Sequence, residues 1–189
     1  MSTVFIRRTT APSSTNKYYI KTTKGGYNKC MQIKPDGSVL PNCVGYAWGR
    51  FCEEQNIHSC NLSRGNAENW YYHTSDGYAR GNTPKLGAVI CWHSTRSGGH
   101  VAIVEKINPD GTINTSNSAY NGSRFYMKML RASNNYYIGS AYTFQGFIYP
   151  DIEFIDPDTP IPTDSETKKN KFPWVLYARK FRNRHLTNN

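Results

Sequence analysis

The chain has 189 residues, enough for one well-cored domain and a short appendage. Hydrophobic residues make up 38% and aromatic residues 14%, which predicts a folded core, and no apolar run approaches the length that spans a bilayer, which predicts a soluble protein. The formal net charge of +10 predicts attraction to something anionic, whether nucleic acid, a membrane surface or a wall polymer.

In chain order, the opening "MSTVFIRRTTAPSS" is basic but lacks a continuous apolar core, so no signal peptide is read. The first forty residues are rich in Gly, Lys, Thr and Tyr and predict irregular surface structure. A helix is predicted from Asn42 to about Gln55, in the stretch "LPNCVGYAWGRF" and beyond. Pro41 and Asn42 supply a start signal, and Val44, Ala47, Trp48 and Phe51 recur at helical spacing. Gly45 and Gly49 weaken that helix but would permit close packing against a sheet. A second helix is expected from about Ala67 to Tyr72. After Pro84 the texture changes to strands: "GAVICWH", "HVAIVEKI", "TINTSNSAY", "RFYMKML" and "FQGFIY", with "NPDG" as the turn between the second and third. Helices first and antiparallel strands after predict an α+β fold.

Charge divides the chain into three. Residues 1–150 carry a net +9 and form the expected domain. Residues 151–167 hold six acids, three prolines and no base, the composition of an extended linker. Residues 168–189 hold seven bases and no acid. In that tail Trp174, Tyr177, Ala178 and Phe181 fall on one helical face flanked by Arg179, Lys180, Arg182 and Arg184. Such a segment, Lys168 to Arg184, suits a membrane surface, an anionic polymer or a neighbouring protein, and equally suits docking on its own domain or disorder.

The five cysteines, Cys30, Cys43, Cys52, Cys60 and Cys91, contain no C-x-x-C pair and have no histidine at ligand spacing, so no metal is expected. Cys52 and Cys60 bracket a short loop and would form a disulfide in an oxidising medium, although reduced thiols are the default without a secretion signal. Cys91, between Ile90 and Trp92, reads as strand core.

Cys43 differs from the others because it opens a helix, where amide N–H groups and the helix dipole favour a thiolate. His100 follows two glycines and opens a strand, which projects its ring at the edge of the sheet. A thiol nucleophile needs such a base, and the base needs a third group to orient it. The strand returning from "NPDG" offers Ser116 and Asn117, and an asparagine carbonyl can accept the imidazole N–H without adding charge. Asn42 is either the helix cap or a donor to an oxyanion beside the Cys43 N–H. Trp92 is either core or a wall of the substrate groove.

In that order, "LPNCVGYAWGRF", "PKLGAVICW" and "GGHVAIVEKINPDGTINTSNSAYNG" resemble the CHAP family of cysteine, histidine-dependent amidohydrolases and peptidases, over roughly residues 15–150. The resemblance implies a papain-like fold with Cys43 as nucleophile and His100 as general base. It also implies cleavage of amide bonds in peptidoglycan, by an endopeptidase or an N-acetylmuramoyl-L-alanine amidase. Its members are often bacteriophage lysins or tail-associated hydrolases, so the expected protein is made in the host cytoplasm and reaches a Gram-positive wall after holin release or as a virion component. Many relatives read S-E-x-N-Y-N-G at the third position. Here Asn117 replaces the glutamate and Ala119 stands where the asparagine would be. Some relatives bind calcium ahead of the cysteine, but "IKPDGSVLPNC" holds a single acid, Asp36, so neither calcium nor any other cofactor is expected. The altered third position keeps open a non-catalytic wall-binding or virion structural protein on the same fold. Nucleic-acid binding, suggested by the net charge and the many tyrosines, has no supporting motif.

Overall fold

The computed structural model describes residues 3–13, 15–19, 31–33, 39–119 and 125–159 of the chain. Cys30, Asp36, the Tyr120-Asn121-Gly122 stretch, the end of the acidic segment and the whole basic tail lie outside the described residues. A compact unit runs over Met1–Pro157.

The helix predicted from Asn42 forms as α1, Cys43–Glu54, and both of its ends are chemically sealed. Asn42 is the N-cap, its side-chain carbonyl accepting from the N–H groups of Val44 and Gly45 at 3.2 and 3.4 Å. At the other end Asn56 takes a left-handed φ of 53°, while Ile57 N–H donates to Cys52 O and Asn56 N–H to Glu53 O, the paired bonds of a Schellman stop. Gly49 is needed for a close approach, but to Tyr19 rather than to a sheet: an added Cβ would sit 2.5 Å from the Tyr19 ring. The residues before α1 are mostly irregular as expected, yet they are not all surface, since Phe5 and Tyr19 are buried. A short hairpin, β2 (Met31–Ile33) and β3 (Val39–Pro41), leads into the helix, and β1 is the two-residue strand Thr3–Val4.

Six strands make the main sheet, in the order β4-β9-β5-β6-β7-β8 and antiparallel throughout. They are β4 (Arg80–Gly81), β5 (Val89–Ser94), β6 (His100–Ile107), β7 (Ile113–Asn117), β8 (Tyr126–Leu130) and β9 (Tyr142–Ile148). The NPDG turn joins β6 to β7 as predicted, with Gly111 N–H donating to Asn108 O. Strand periodicity explains why "AVICW" and "VAIV" read as unbroken apolar runs. Val89, Cys91, Val101 and Ile103 face α1, while Ile90, Trp92, Ala102 and Val104 face a second core with Ile113, Tyr136 and Phe147. A sheet buried on both faces leaves no polar alternation to read. The result is an α+β fold with one α-helix and a mostly antiparallel sheet among the described residues. No helix of the described residues is long and apolar enough to cross a membrane.

Two expectations change. The second helix shortens to a single 3-10 turn, Ala67–Asn69, because the indole of Trp70 is buried in the first core and its N–H reaches back to Gly65 O at 3.2 Å. Tertiary packing here overrides local helix preference. The segment expected as linker from residue 151 begins inside the compact unit. Its residues Phe154–Ile155 form β10, parallel to β1, with Phe154 edge-on to Phe5 at 4.9 Å and Asp156 paired with Arg7.

A buried ion cluster fastens the N-terminal arm to this body. Arg50 of α1 binds Glu105 of β6 through two bonds of 2.9 Å, and Glu105 also accepts from Ser116 Oγ and from the Arg8 backbone N–H. Arg50 further donates to Ile6 O and to Glu53. Burial lowers the pKa of the guanidinium, but the Glu105 carboxylate outweighs it, so Arg50 stays charged.

Candidate active site

A cleft of about 610 Å³ opens where α1 begins and β6 begins. Cys43 and His100 both line it, together with Asn42, Arg64, Ala119 and Tyr142. The sequence places these residues there by separate devices. Cys43 is the first residue of a helix whose cap is Asn42. His100 is the first residue of β6, reached through Gly98 and Gly99. Gly99 has a φ of +84°, and a Cβ there would lie 2.5 Å from Glu68 N and 2.6 Å from Trp92 O, so only glycine lets the loop pass so close to the turn at residue 67.

The His100 ring is held on three sides. It lies 5.6 Å from the Trp92 indole, centroid to centroid, and 6.4 Å from Tyr142, which meets it edge-on. On the third side His100 Nε2 is 3.1 Å from Asn117 Oδ1. The orientation of the Asn117 amide is determined by its other neighbours. Its Nδ2 group faces Thr115 O and Thr115 Oγ1, each at 3.0 Å, and Tyr126 O at 3.5 Å. Thr115 Oγ1 gives its own proton to Lys128 O and therefore accepts from Asn117. Turning the amide over would set a carbonyl oxygen against those acceptors. Asn117 Oδ1 must therefore face the ring, Nε2 must carry the proton, and Nδ1 is left with the lone pair.

Electrostatics keep that ring neutral. Burial lowers the His100 pKa to about 4, with the Asn117 hydrogen bond acting in the opposite direction and Lys128 adding to the depression. Nearby, burial together with Cys43 and Tyr142 pushes the Tyr126 phenol up to about 12. The remaining described thiols are set apart from the cleft. Cys52 shares a thiol hydrogen bond with Cys60, which together with burial raises its pKa, and burial raises that of Cys91. Cys43, Cys52, Cys60 and Cys91 are all reduced, so no Cys52–Cys60 disulfide is present.

The structure thus brings Cys43, His100 and Asn42 to one cleft, with Asn117 directly behind His100. It does not bring Trp92 to the groove. Trp92 is 1% exposed, on the second core, with its indole N–H donating to Tyr136 O at 3.0 Å. Its side chain alternates away from α1, so it supports the imidazole from behind. The two roles considered for Asn42 use different atoms: the cap employs Oδ1, which consumes the N–H groups of Val44 and Gly45, while Nδ2 belongs to the other end of the amide. Sequence reasoning missed Tyr142 and Arg64. Tyr142 opens β9, 42 positions after His100, and becomes its neighbour only through the β5–β9 pairing. Arg64 lies in a Ser-Arg-Gly-Asn loop whose composition signals only a turn. His93 pairs loosely with Glu68 at 3.9 Å and His73 contacts Ser75, both outside the cleft lining.

The chain is 36% identical over 99 residues to "Probable autolysin LDP" of Staphylococcus aureus, covering 51% of this chain and 34% of that protein. It is 32% identical over 120 residues to the staphylococcal secretory antigen SsaA of the same species, covering 62% of this chain and 41% of that one. The chain therefore spans under half the length of either relative. Among solved structures it is similar to an N-acetylmuramoyl-L-alanine amidase from Staphylococcus aureus, with a TM-score of 0.44 and 27% identity over 58% of this chain and 30% of that one. Residues 33–119, which span α1, His100 and Asn117, match the family model of the CHAP domain.

Proposed function

We propose that this chain is a peptidoglycan hydrolase that cleaves an amide bond by cysteine catalysis, with Cys43 as nucleophile, His100 as general base and Asn117 as the group that orients the base. The observation that carries the reading is the determined tautomer of His100. With Nε2–H given to Asn117, the basic Nδ1 is the nitrogen available to a thiol in the same cleft. A pKa near 4 leaves the imidazole neutral at rest and able to accept the proton of Cys43. In the proposed cycle the Cys43 proton passes to His100 as the sulfur attacks the carbonyl carbon. The oxyanion is met by the Cys43 N–H, at the positive end of α1, and by Asn42 Nδ2. The imidazolium then gives its proton to the leaving amine, and a water molecule, deprotonated by the same ring, hydrolyses the thioester. Asn117 in place of the expected glutamate retains the orienting hydrogen bond while omitting a negative charge.

The match to the CHAP domain and the similarity to a probable autolysin support the wall as the place of action. The phage setting is a further part of the proposal, in which the protein reaches a Gram-positive wall after holin release or as a virion component. Digestion of purified Gram-positive peptidoglycan by the protein and by Cys43→Ala, with fragments identified by mass spectrometry, tests the activity. New amino groups released only by the unmutated protein are expected, and the fragment masses name the bond. Equal release by Cys43→Ala would remove the cysteine mechanism.

A further inference from the structure

Arg64 is the one charged side chain among the described residues that line the cleft, and none of those residues carries a carboxylate. Its loop is not free to wander. Ser63 Oγ accepts from Gly65 N–H at 3.1 Å, and the buried Trp70 indole donates to Gly65 O at 3.2 Å, so the residue that follows Arg64 is held at both its N–H and its carbonyl. The guanidinium itself rests over the Trp48 ring, 5.6 Å from its centroid. Trp48 is buried on α1, five residues beyond Cys43, so the cation is carried by the same helix that presents the thiol. Across the cleft, Ser94 Oγ accepts from Arg96 and Ser97 N–H, and Glu68 N–H donates to Gly98 O at 2.9 Å, which ties the opposite wall to the segment just after Arg64.

We propose that Arg64 is a specificity-determining residue that binds a free carboxylate of the substrate peptide close to the scissile amide. A preorganised guanidinium offers two parallel N–H donors, the geometry that a carboxylate accepts and a carboxamide cannot fully match. The stacking on Trp48 removes part of the ordering cost that an exposed arginine would otherwise meet on binding. The substrate class is therefore an acidic peptide rather than a neutral one. The inference rests on the hydrolase reading above, and its test separates the two.

The substrates are walls stripped of phosphate polymers, used in native form and after carbodiimide-mediated amidation of their carboxylates to carboxamides. Charge-assisted hydrogen bonds of this kind discriminate by roughly 10- to 100-fold. The unmutated protein is expected to lose that factor in kcat/KM on amidated walls. Arg64→Gln is expected to lose a similar factor on native walls, mainly through KM, and to cleave the two walls nearly equally. Arg64→Lys should recover part of the discrimination. Equal cleavage of both walls by the unmutated protein, or unchanged discrimination by Arg64→Gln, would overturn the inference while leaving the hydrolase reading intact. No cleavage at all would remove the hydrolase reading, and a binding measurement then decides. Soluble native stem-peptide fragments should bind Cys43→Ala more tightly than amidated ones, with the difference lost in Cys43→Ala/Arg64→Gln; equal affinities or no binding would overturn it.

Discussion

Two polar regions flank the same pair of strands, and they are built in opposite ways. The Arg50–Glu105 cluster, between α1 and the middle of β6, is charged, and both carboxylate oxygens of Glu105 are engaged by donors. The His100–Asn117 pair, at the start of β6, is neutral and commits only one side of the imidazole. Ser116 serves the first and Asn117 the second, one residue apart on β7 and pointing to opposite faces. Full pairing makes a fastener; a ring held on one side is what the proposed base requires. The difference teaches that buried polarity in this fold is not a single property, and that the number of uncommitted lone pairs separates architecture from chemistry.

Breaking the fastener should have the largest effect. Glu105→Ala leaves the Arg50 guanidinium buried without its main counter-charge, which costs about 3–5 kcal/mol by the behaviour of such pairs, and it also releases the Arg8 backbone. Urea unfolding should show stability fall by that amount. A loss below about 1 kcal/mol would mean that water relieves the cluster. Asn117→Ala should act on rate instead. Losing the group that fixes the His100 tautomer is expected to lower kcat by roughly 10- to 100-fold.

The pH profile sharpens the contrast. A histidine whose folded pKa is lowered contributes stability that is complete above its ordinary value of 6.5 and is lost as pH falls toward about 4. The neutral imidazole persists over the same range, so the proposed mechanism places the acid limb of kcat/KM near 4 rather than 6.5. Because the Asn117 hydrogen bond raises the His100 pKa, Asn117→Ala should move that limb lower still. A limb near 6.5 in both proteins would show the ring to be solvated. The smallest effect is expected from Trp92→Phe, which removes the hydrogen bond to Tyr136 O but keeps an aromatic face behind His100, at about 1 kcal/mol of stability.

Much of this architecture is legible in the amino-acid sequence. The N-cap at Asn42, the helix to Glu54, the strand opening at His100 and the turn at NPDG are local signals, each set by residues within one element. The returning strand is legible from its tight turn and offers Ser116 and Asn117, but a one-residue register shift between Val104 and Lys106 decides that Asn117, not Ser116, shares the face of His100. What the sequence does not disclose depends on distant partners. Trp92 reads equally as groove or core, since an unbroken apolar run does not reveal which face a residue takes. Tyr142 and Arg64 reach the cleft through pairing of β9 with β5 and through stacking on Trp48, neither of which leaves a local trace. The segment from residue 151 reads as linker because its acids and prolines dominate its composition, while Phe154 and its contact with Phe5 decide its fold.

The central claim is that Cys43 is a thiol activated by His100, and the most direct test is the rate of its alkylation by iodoacetamide, followed by peptide mapping across the neutral pH range. Cys43 should react far faster at neutral pH than Cys52, Cys60 and Cys91, and His100→Ala should bring its rate down toward that of an ordinary thiol. A Cys43 no more reactive than those three buried cysteines, or one whose rate ignores the loss of His100, would contradict the claim.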